Sequence, residues 1–419
     1  MLIKNGKVFM DGKYHEKDIK IEKGKIVSIA DRIEDHDDQV IDASGKIVNP
    51  SFIDLHVHFR EPGQTHKEDI ASGSRAAARG GYTVVAAMPN LSPVPDTPER
   101  FEQQMKLNAE KSVIQTLQYA PITTNQIGNE IVDLEKMKAL GAFAFTNDGH
   151  PVSEAYTMRE AMKRIAALDS HLAEHIEDDS LFGGSIHEGE TAKRLGLKGI
   201  PSVTESSQLA RDLVLAADTG VHYHACHIST KMTVDLIRFF KGMGVNVTCE
   251  VTPHHLLLCE EDIPADDAIY KMNPPLRGKV DQQALIEGLL DGTIDMIATD
   301  HAPHAAHEKD KGFAQSAFGI TGIETAFPLL YTHFVKKGKL SLERLIALMS
   351  CNPAARFNLE PNRIAEGKPA NLNVIDLETP YTIEAADFVS KSKNTPFIGE
   401  EVYGNVELTL YNGKIVYSK

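Results

Sequence analysis

The chain has 419 residues, 42% hydrophobic and 25% charged, an ordinary balance for a globular protein long enough for a large barrel plus a small module. No apolar run reaches the roughly 18 residues of a membrane span, and Met1-Leu2-Ile3-Lys4-Asn5-Gly6 lacks a signal-peptide pattern, so a cytoplasmic protein away from membranes is expected. A formal charge of −15 argues against a nucleic-acid partner, and four cysteines without Cys-x-x-Cys spacing suggest neither a zinc ribbon nor a disulfide framework.

Residues 1–50 hold short β-like pieces punctuated by Asn5-Gly6, Asp11-Gly12 and Lys23-Gly24-Lys25. From about 51 to 360, short apolar runs alternate with helical stretches such as 70–79 and 204–217, the pattern of parallel β/α units. Eight runs read as strands: 51–58, 83–88, 113–119, 142–146, 170–175, 221–227, 246–250 and 294–299. Eight such units predict a TIM-type (β/α)8 barrel over 51–360, with its active site at the C-terminal strand ends. Residues 361–419 return to β-like pieces, including 370–376 and 406–417. Neither end can bury a core alone, so 1–50 and 361–419 are expected to pair into one small β-sandwich domain, making the chain α/β.

The first barrel run ends in Asp54-Leu55-His56-Val57-His58-Phe59-Arg60-Glu61-Pro62-Gly63. Side chains alternate along a strand, so His56 and His58 point the same way and can grip one metal ion. Arg60, two further on, brings a planar fork suited to a carboxylate. Alone, this could be a His-x-His on a solvated edge. Similar residues follow at the later strand ends: Asn147-Asp148-Gly149, then His175, His227 and Asp300-His301-Ala302-Pro303-His304. Histidines and carboxylates at successive strand ends are how a barrel mouth assembles a metal centre.

With these ligands placed, the chain resembles the amidohydrolase superfamily and, along nearly its whole length, the bacterial class I dihydroorotases. The resemblance rests on His56-x-His58 through Gly63, Met88-Pro89-Asn90, Glu250-Val251-Thr252-Pro253-His254-His255, Lys271-Met272-Asn273-Pro274-Pro275-Leu276-Arg277 and Ala298-Thr299-Asp300-His301-Ala302-Pro303-His304. It implies reversible, zinc-dependent cyclisation of N-carbamoyl-L-aspartate to L-dihydroorotate in pyrimidine biosynthesis. It implies two Zn2+ per subunit, one on His56, His58, Asp148 and Asp300, the other on Asp148, His175 and His227. Asp148 and a hydroxide would bridge them, and Asp300 would be the catalytic acid–base. Many relatives use a carboxylated lysine at the bridge, and Phe145-Thr146-Asn147-Asp148-Gly149 has no lysine.

The same resemblance puts Arg60, Asn90 and His304 around the carboxylate of an anionic small-molecule substrate, Asn273 on the ring amide, and main-chain groups of Phe318 and Gly319 on the other ring edge. His58 borders both metal and substrate. The polar stretch 305–316, with little helical or strand pattern, reads as a mobile loop over the mouth. His224 and His301 are expected in supporting positions, His254 and His255 in packing, Cys226 in the core, and Asp54 either orienting an imidazole or closing a strand end. Departures from the family's usual wording fall at Leu91, Asn147, Ile176 and Ala317. Rival readings are another cyclic amide hydrolase, dihydropyrimidinase- or allantoinase-like, and a non-catalytic scaffold beside a partner enzyme. A homodimer is the expected assembly, and association with aspartate transcarbamoylase is the partner that the resemblance suggests.

Overall fold

The computed structural model describes residues 1–34 and 39–419. Eight parallel segments close a barrel at its centre. Phe52–Val57, Tyr82–Ala87 and Gln115–Gln118 pair in order, and His171–Glu174, His222–Ala225, Val247–Val251 and Met296–Ile297 form a second parallel set. The expected strand at 142–146 joins the two sets, though it is reduced to a bridge at Phe145 with Ala120 on one side and Leu172 on the other. Its main chain still pairs with both neighbours: Phe143 N–H donates to Gln118 O, and Phe145 N–H to His171 O, at 2.9 and 3.0 Å. Closure comes where His58 N–H donates to His301 O at 2.9 Å. All eight expected runs therefore occupy barrel positions.

The helices pack outside. Ile70–Arg79 matches the expected 70–79 and begins at Asp69, whose carboxylate accepts from Ser72 N–H at 2.7 Å and so satisfies one of the free N–H groups of the first turn. Val203–Thr219 covers the expected 204–217 and stops at Gly220, which takes the left-handed conformation (φ 72°) that glycine adopts without penalty.

Both chain ends feed one eight-stranded mixed sheet. Its path runs Lys414–Ser418, Asn405–Tyr411, Leu372–Asp376, Ile47–Pro50, Leu2–Met10, Lys13–Glu22, Lys25–Ala30, with Val40–Asp42 beside Leu2–Met10. Alternation along Leu372–Asp376 shows its two faces. Leu372 and Val374 join Ile3, Val8, Ile19 and Leu408 in a small separate core. Asn373 and Ile375 face the barrel, and Asn373 Nδ2 donates to Gly81 O at 3.1 Å. Residues 377–404 leave this sheet and run along the barrel towards its mouth, where Asn394 meets the loops after the eighth strand.

The stretch 305–316 differs from its patternless reading. It contains two four-residue helices, Ala306–Lys309 and Gly312–Gln315, too short to impose a helical period on the sequence. Lys309 is buried, and its ammonium donates to Lys271 O, Ala317 O and Gly319 O at 2.8–2.9 Å. Phe313, 1% exposed, pins the second helix. No helix among the described residues is long and apolar enough to cross a membrane.

Candidate metal centre and its cleft

His56, His58, Asp148, His175, His227 and Asp300 all reach the C-terminal mouth of the barrel and converge there. Asp148 is central. Its Oδ1 lies 3.3 Å from His56 Nε2, 3.8 Å from His227 Nε2 and 4.0 Å from His175 Nδ1, and its Oδ2 is 3.7 Å from His58 Nε2. Asp300 Oδ1 sits 3.0 Å from His58 Nε2 and 3.6 Å from His56 Nε2. His175 Nδ1 and His227 Nε2 face each other at 3.1 Å. Two sets, His56–Asp148–His227 and His56–His58–Asp300, bring one ligand atom per residue within 4.8 Å of one another.

The donor set fits a divalent cation. His56 Nε2 and Asp148 Oδ1 are buried, make no hydrogen bond and point at one another, an arrangement that costs free energy unless something positive sits between. Electrostatics agree. Burial alone would lower the His175 pKa, but Glu177, Asp148 and Asp300 outweigh it and raise it to about 9. Likewise burial works to raise the Asp300 pKa, yet His58, His56 and His227 hold it well below the usual range. At His175 and Asp300 the surroundings thus favour positive charge and an ionised carboxylate, as a cation site would, whereas burial shifts His58 the other way. Cys226 also lies close to His56 and Glu250, but burial pushes its thiol pKa up, so it stays protonated and serves as core.

Around these ligands lies a cleft of about 290 Å3. Arg60, Asn90, Asn273, His304, Phe318 and Gly319 all line it, along with Glu177 and Phe182. Arg60 Nε donates to Pro303 O at 3.3 Å and its Nη2 lies 3.3 Å from His304 Nε2, which leaves part of the guanidinium fork to the cleft. Asn90 works inward: its Oδ1 accepts from His58 Nδ1–H at 3.0 Å, and its Nδ2 donates to Asp148 Oδ2 at 3.1 Å. His304 Nε2–H donates to Phe318 O at 2.7 Å, so its Nδ1 is the acceptor facing Lys67 at 3.5 Å. Asn273 Nδ2 donates to Glu177 Oε2 at 2.8 Å, which turns its Oδ1 away from that carboxylate. Gly319 gives its N–H to Lys271 O and its carbonyl to Lys309 and Asn394, so its polar groups hold the loop.

Several supports were not legible in the sequence. Glu250 Oε1 accepts from His56 Nδ1–H at 2.8 Å, the task for which Asp54 was a candidate. Asp54 instead accepts from Thr299 N–H and Oγ1–H and from His56 N–H, closing the first strand on the eighth. Glu177 and Asn394 also stand out. Glu177 carried a weak signal, being two residues after His175; Asn394 carried none. Among the expected bystanders, His255 is held by Thr252 Oγ1 at 2.7 Å and Pro274 O at 2.9 Å, consistent with packing.

A family model described as dihydro-orotase-like matches residues 45–233. Curated dihydroorotases from Ligilactobacillus salivarius and Geobacillus sp. are each 53% identical to this chain, over 100% of it and 99% of their own length. Among solved structures, an L-hydantoinase (dihydropyrimidinase) from Arthrobacter aurescens superposes with a TM-score of 0.90 at 27% identity, covering all of this chain and 96% of its own. A D-hydantoinase (dihydropyrimidinase) from Thermus sp. gives 0.87 at 26% identity, with 100% and 95% covered.

Proposed function

This chain belongs to the dihydroorotase family of cyclic amide hydrolases, and we infer from that premise that the cleft over Asp148 and Asp300 runs the family's reaction, the reversible closure of N-carbamoyl-L-aspartate to L-dihydroorotate. The observation that carries the reading is the pair of orphaned buried atoms, His56 Nε2 and Asp148 Oδ1, ringed by four further ligand residues. We propose His56, His58, Asp148 and Asp300 as ligands of one ion and Asp148, His175 and His227 as ligands of a second. When bound, such ions would activate a water and polarise the amide carbonyl, and zinc suits this imidazole and carboxylate set.

The chain's own residues do the rest. Asp300, kept ionised by the imidazoles beside it, takes the proton of the attacking water and passes it to the departing ring nitrogen. In ring closure the same carboxylate moves the proton the other way. Arg60 supplies the charged fork for the substrate carboxylate, with His304 and Asn90 flanking it. Asn273, its Nδ2 committed to Glu177, offers Oδ1 to a ring N–H. The anionic substrate meets a chain of charge −15, so its attraction is local, from Arg60 and the bound cations.

The hydantoinase-like fold keeps a second reading in view, a different cyclic amide as preferred substrate. Ultraviolet absorbance of dihydroorotate, followed with purified protein, carbamoyl aspartate and added zinc, decides between them. Turnover that disappears in Asp300→Ala supports the dihydroorotase reading. Turnover of hydantoin or dihydrouracil in preference to dihydroorotate overturns it.

A further inference from the structure

Beneath the metal centre, where barrels of this kind are usually filled by branched apolar side chains, a line of polar ones runs down the interior. His222 Nε2 lies 2.8 Å from Thr248 Oγ1, and Thr248 Oγ1 lies 2.8 Å from His224 Nδ1. His224 Nε2 is 3.1 Å from Glu250 Oε2, and Glu250 Oε1 is 2.8 Å from His56 Nδ1. His222 and His224 alternate on one strand, Thr248 and Glu250 on the next, so all four point inward; His224 and Thr248 are direct partners in the register. The line begins at a cleft of about 540 Å3 at the opposite end of the barrel, walled in part by His222. His224, Glu250 and His56 are fully buried.

One group in this line can only accept hydrogen bonds, and it sets every other proton. That group is the Glu250 carboxylate, whose two oxygens sit between the His56 and His224 rings. Its Oε1 takes His56 Nδ1–H, and its Oε2 takes His224 Nε2–H. His224 Nδ1 is then an acceptor, which Thr248 fills with its hydroxyl proton. The Thr248 oxygen in turn accepts His222 Nε2–H. Each proton points towards Glu250. His56 is left with a lone pair on Nε2, the atom facing Asp148 Oδ1 at 3.3 Å. The opposite tautomer would set the Nδ1 lone pair against a carboxylate oxygen at 2.8 Å, a repulsive contact.

A buried carboxylate is costly to desolvate, and valine or leucine could fill this interior without that cost. We propose that Glu250, held in turn by His224 and Thr248, is the positioning residue that fixes the tautomer and ring orientation of His56 for metal binding. The proposal rests on the reading of His56 as a metal ligand.

The test separates the two ideas. Native protein, Glu250→Gln and Thr248→Val are loaded with zinc, and metal release to a chromogenic chelator is timed. The visible absorption of cobalt-substituted samples and the melting temperature of the metal-free proteins are read alongside. Thr248→Val keeps the side chain's shape and puts a methyl in place of its hydroxyl, so it carries the test if the Glu250 variant does not fold. The expected result is metal release about 10- to 100-fold faster in Glu250→Gln and shifted the same way in Thr248→Val. Cobalt spectra would be altered, and metal-free melting temperatures would stay near native. Release at the native rate in both variants, or a loss that only tracks a lower metal-free melting temperature, overturns the positioning role. Native protein that takes up no zinc would instead sink the metal reading beneath it.

Discussion

Three side chains that ring the cleft stand on backbone that most residues avoid: Arg60 has φ 60°, His227 φ 29° and Asp300 φ 47°. Such conformations cost about 1–3 kcal/mol each and persist only where the surroundings impose them. All three lie two or three residues beyond the end of a barrel strand, in the loops that line the cleft. For Arg60 the consequence is a fork held ready for an anion. Replacing it with glutamine removes a charge-assisted interaction worth about 1.5–3 kcal/mol. KM for carbamoyl aspartate should therefore rise roughly 10- to 100-fold with zinc content unchanged; an unchanged KM would remove Arg60 from substrate binding. Asp300→Ala should cost turnover at least the roughly 10²- to 10⁴-fold of a lost acid–base group, read by the same absorbance assay. One departure from the family wording also finds a reason at this scale. Asn147 Oδ1 accepts from Ile122 and Thr123 N–H, while its Nδ2 donates to Thr123 Oγ1 at 2.7 Å. An aspartate there could keep the Thr123 contact only by taking the hydroxyl's proton instead of giving one.

Two elements outside the strands shape the substrate side. The loop carrying Phe318 and Gly319 is tied down by Lys309 and by Lys271, whose ammonium reaches Ser316 O at 2.5 Å and lies 4.0 Å from the Phe318 ring centre. The second element is the excursion from the C-terminal part of the chain. Asn394, 5% exposed, accepts from His304 N–H at 3.1 Å and donates to Ala302 O and Gly319 O at 3.2 and 3.0 Å. One carboxamide thus links both walls of the pocket read as the carboxylate site. Asn394→Ala should raise KM about tenfold, in keeping with one to two lost hydrogen bonds at about 1 kcal/mol each, while kcat stays within a few-fold. A matching fall in kcat would instead place its effect on the metal side. The sequence placed 305–316 over the mouth but showed neither its helices nor the second element. The helices of 305–316 are single turns, and nothing in Lys393-Asn394-Thr395 marks a residue that acts 90 positions upstream.

At the scale of the molecule, the many buried histidines link stability to acid. Burial is the main reason that the His255 pKa falls to about 4 and that of His222 to about 3, so both stay neutral in the fold. Unfolding exposes them to water, where they bind a proton below about pH 6.5. The unfolded state then holds more protons, so each contributes stability that is lost as pH falls from about 6.5 towards its folded value, by up to about 1.4 kcal/mol per pH unit. Buried carboxyls with raised pKa, Asp54 at about 7 and Glu174, work in the opposite direction over part of this range. The readable quantity is therefore a difference. His255→Asn should unfold with a shallower loss of stability between pH 6.5 and 4 than the native chain, measured by denaturant titration at each pH. Equal slopes would show that His255 titrates normally in the fold. The sequence by itself determined the eight barrel runs and the candidate ligand positions at their ends, because strand ends and spaced histidines are local patterns that one stretch of chain carries whole; the division of those ligands between two ions came from the family resemblance. Only the tertiary structure decided what supports them. Glu250 reaches His56 across 194 residues and Asp54 closes on Thr299 across 245. Such contacts arise from barrel closure and strand register, which bring distant side chains within hydrogen-bond range without leaving a local pattern at either end.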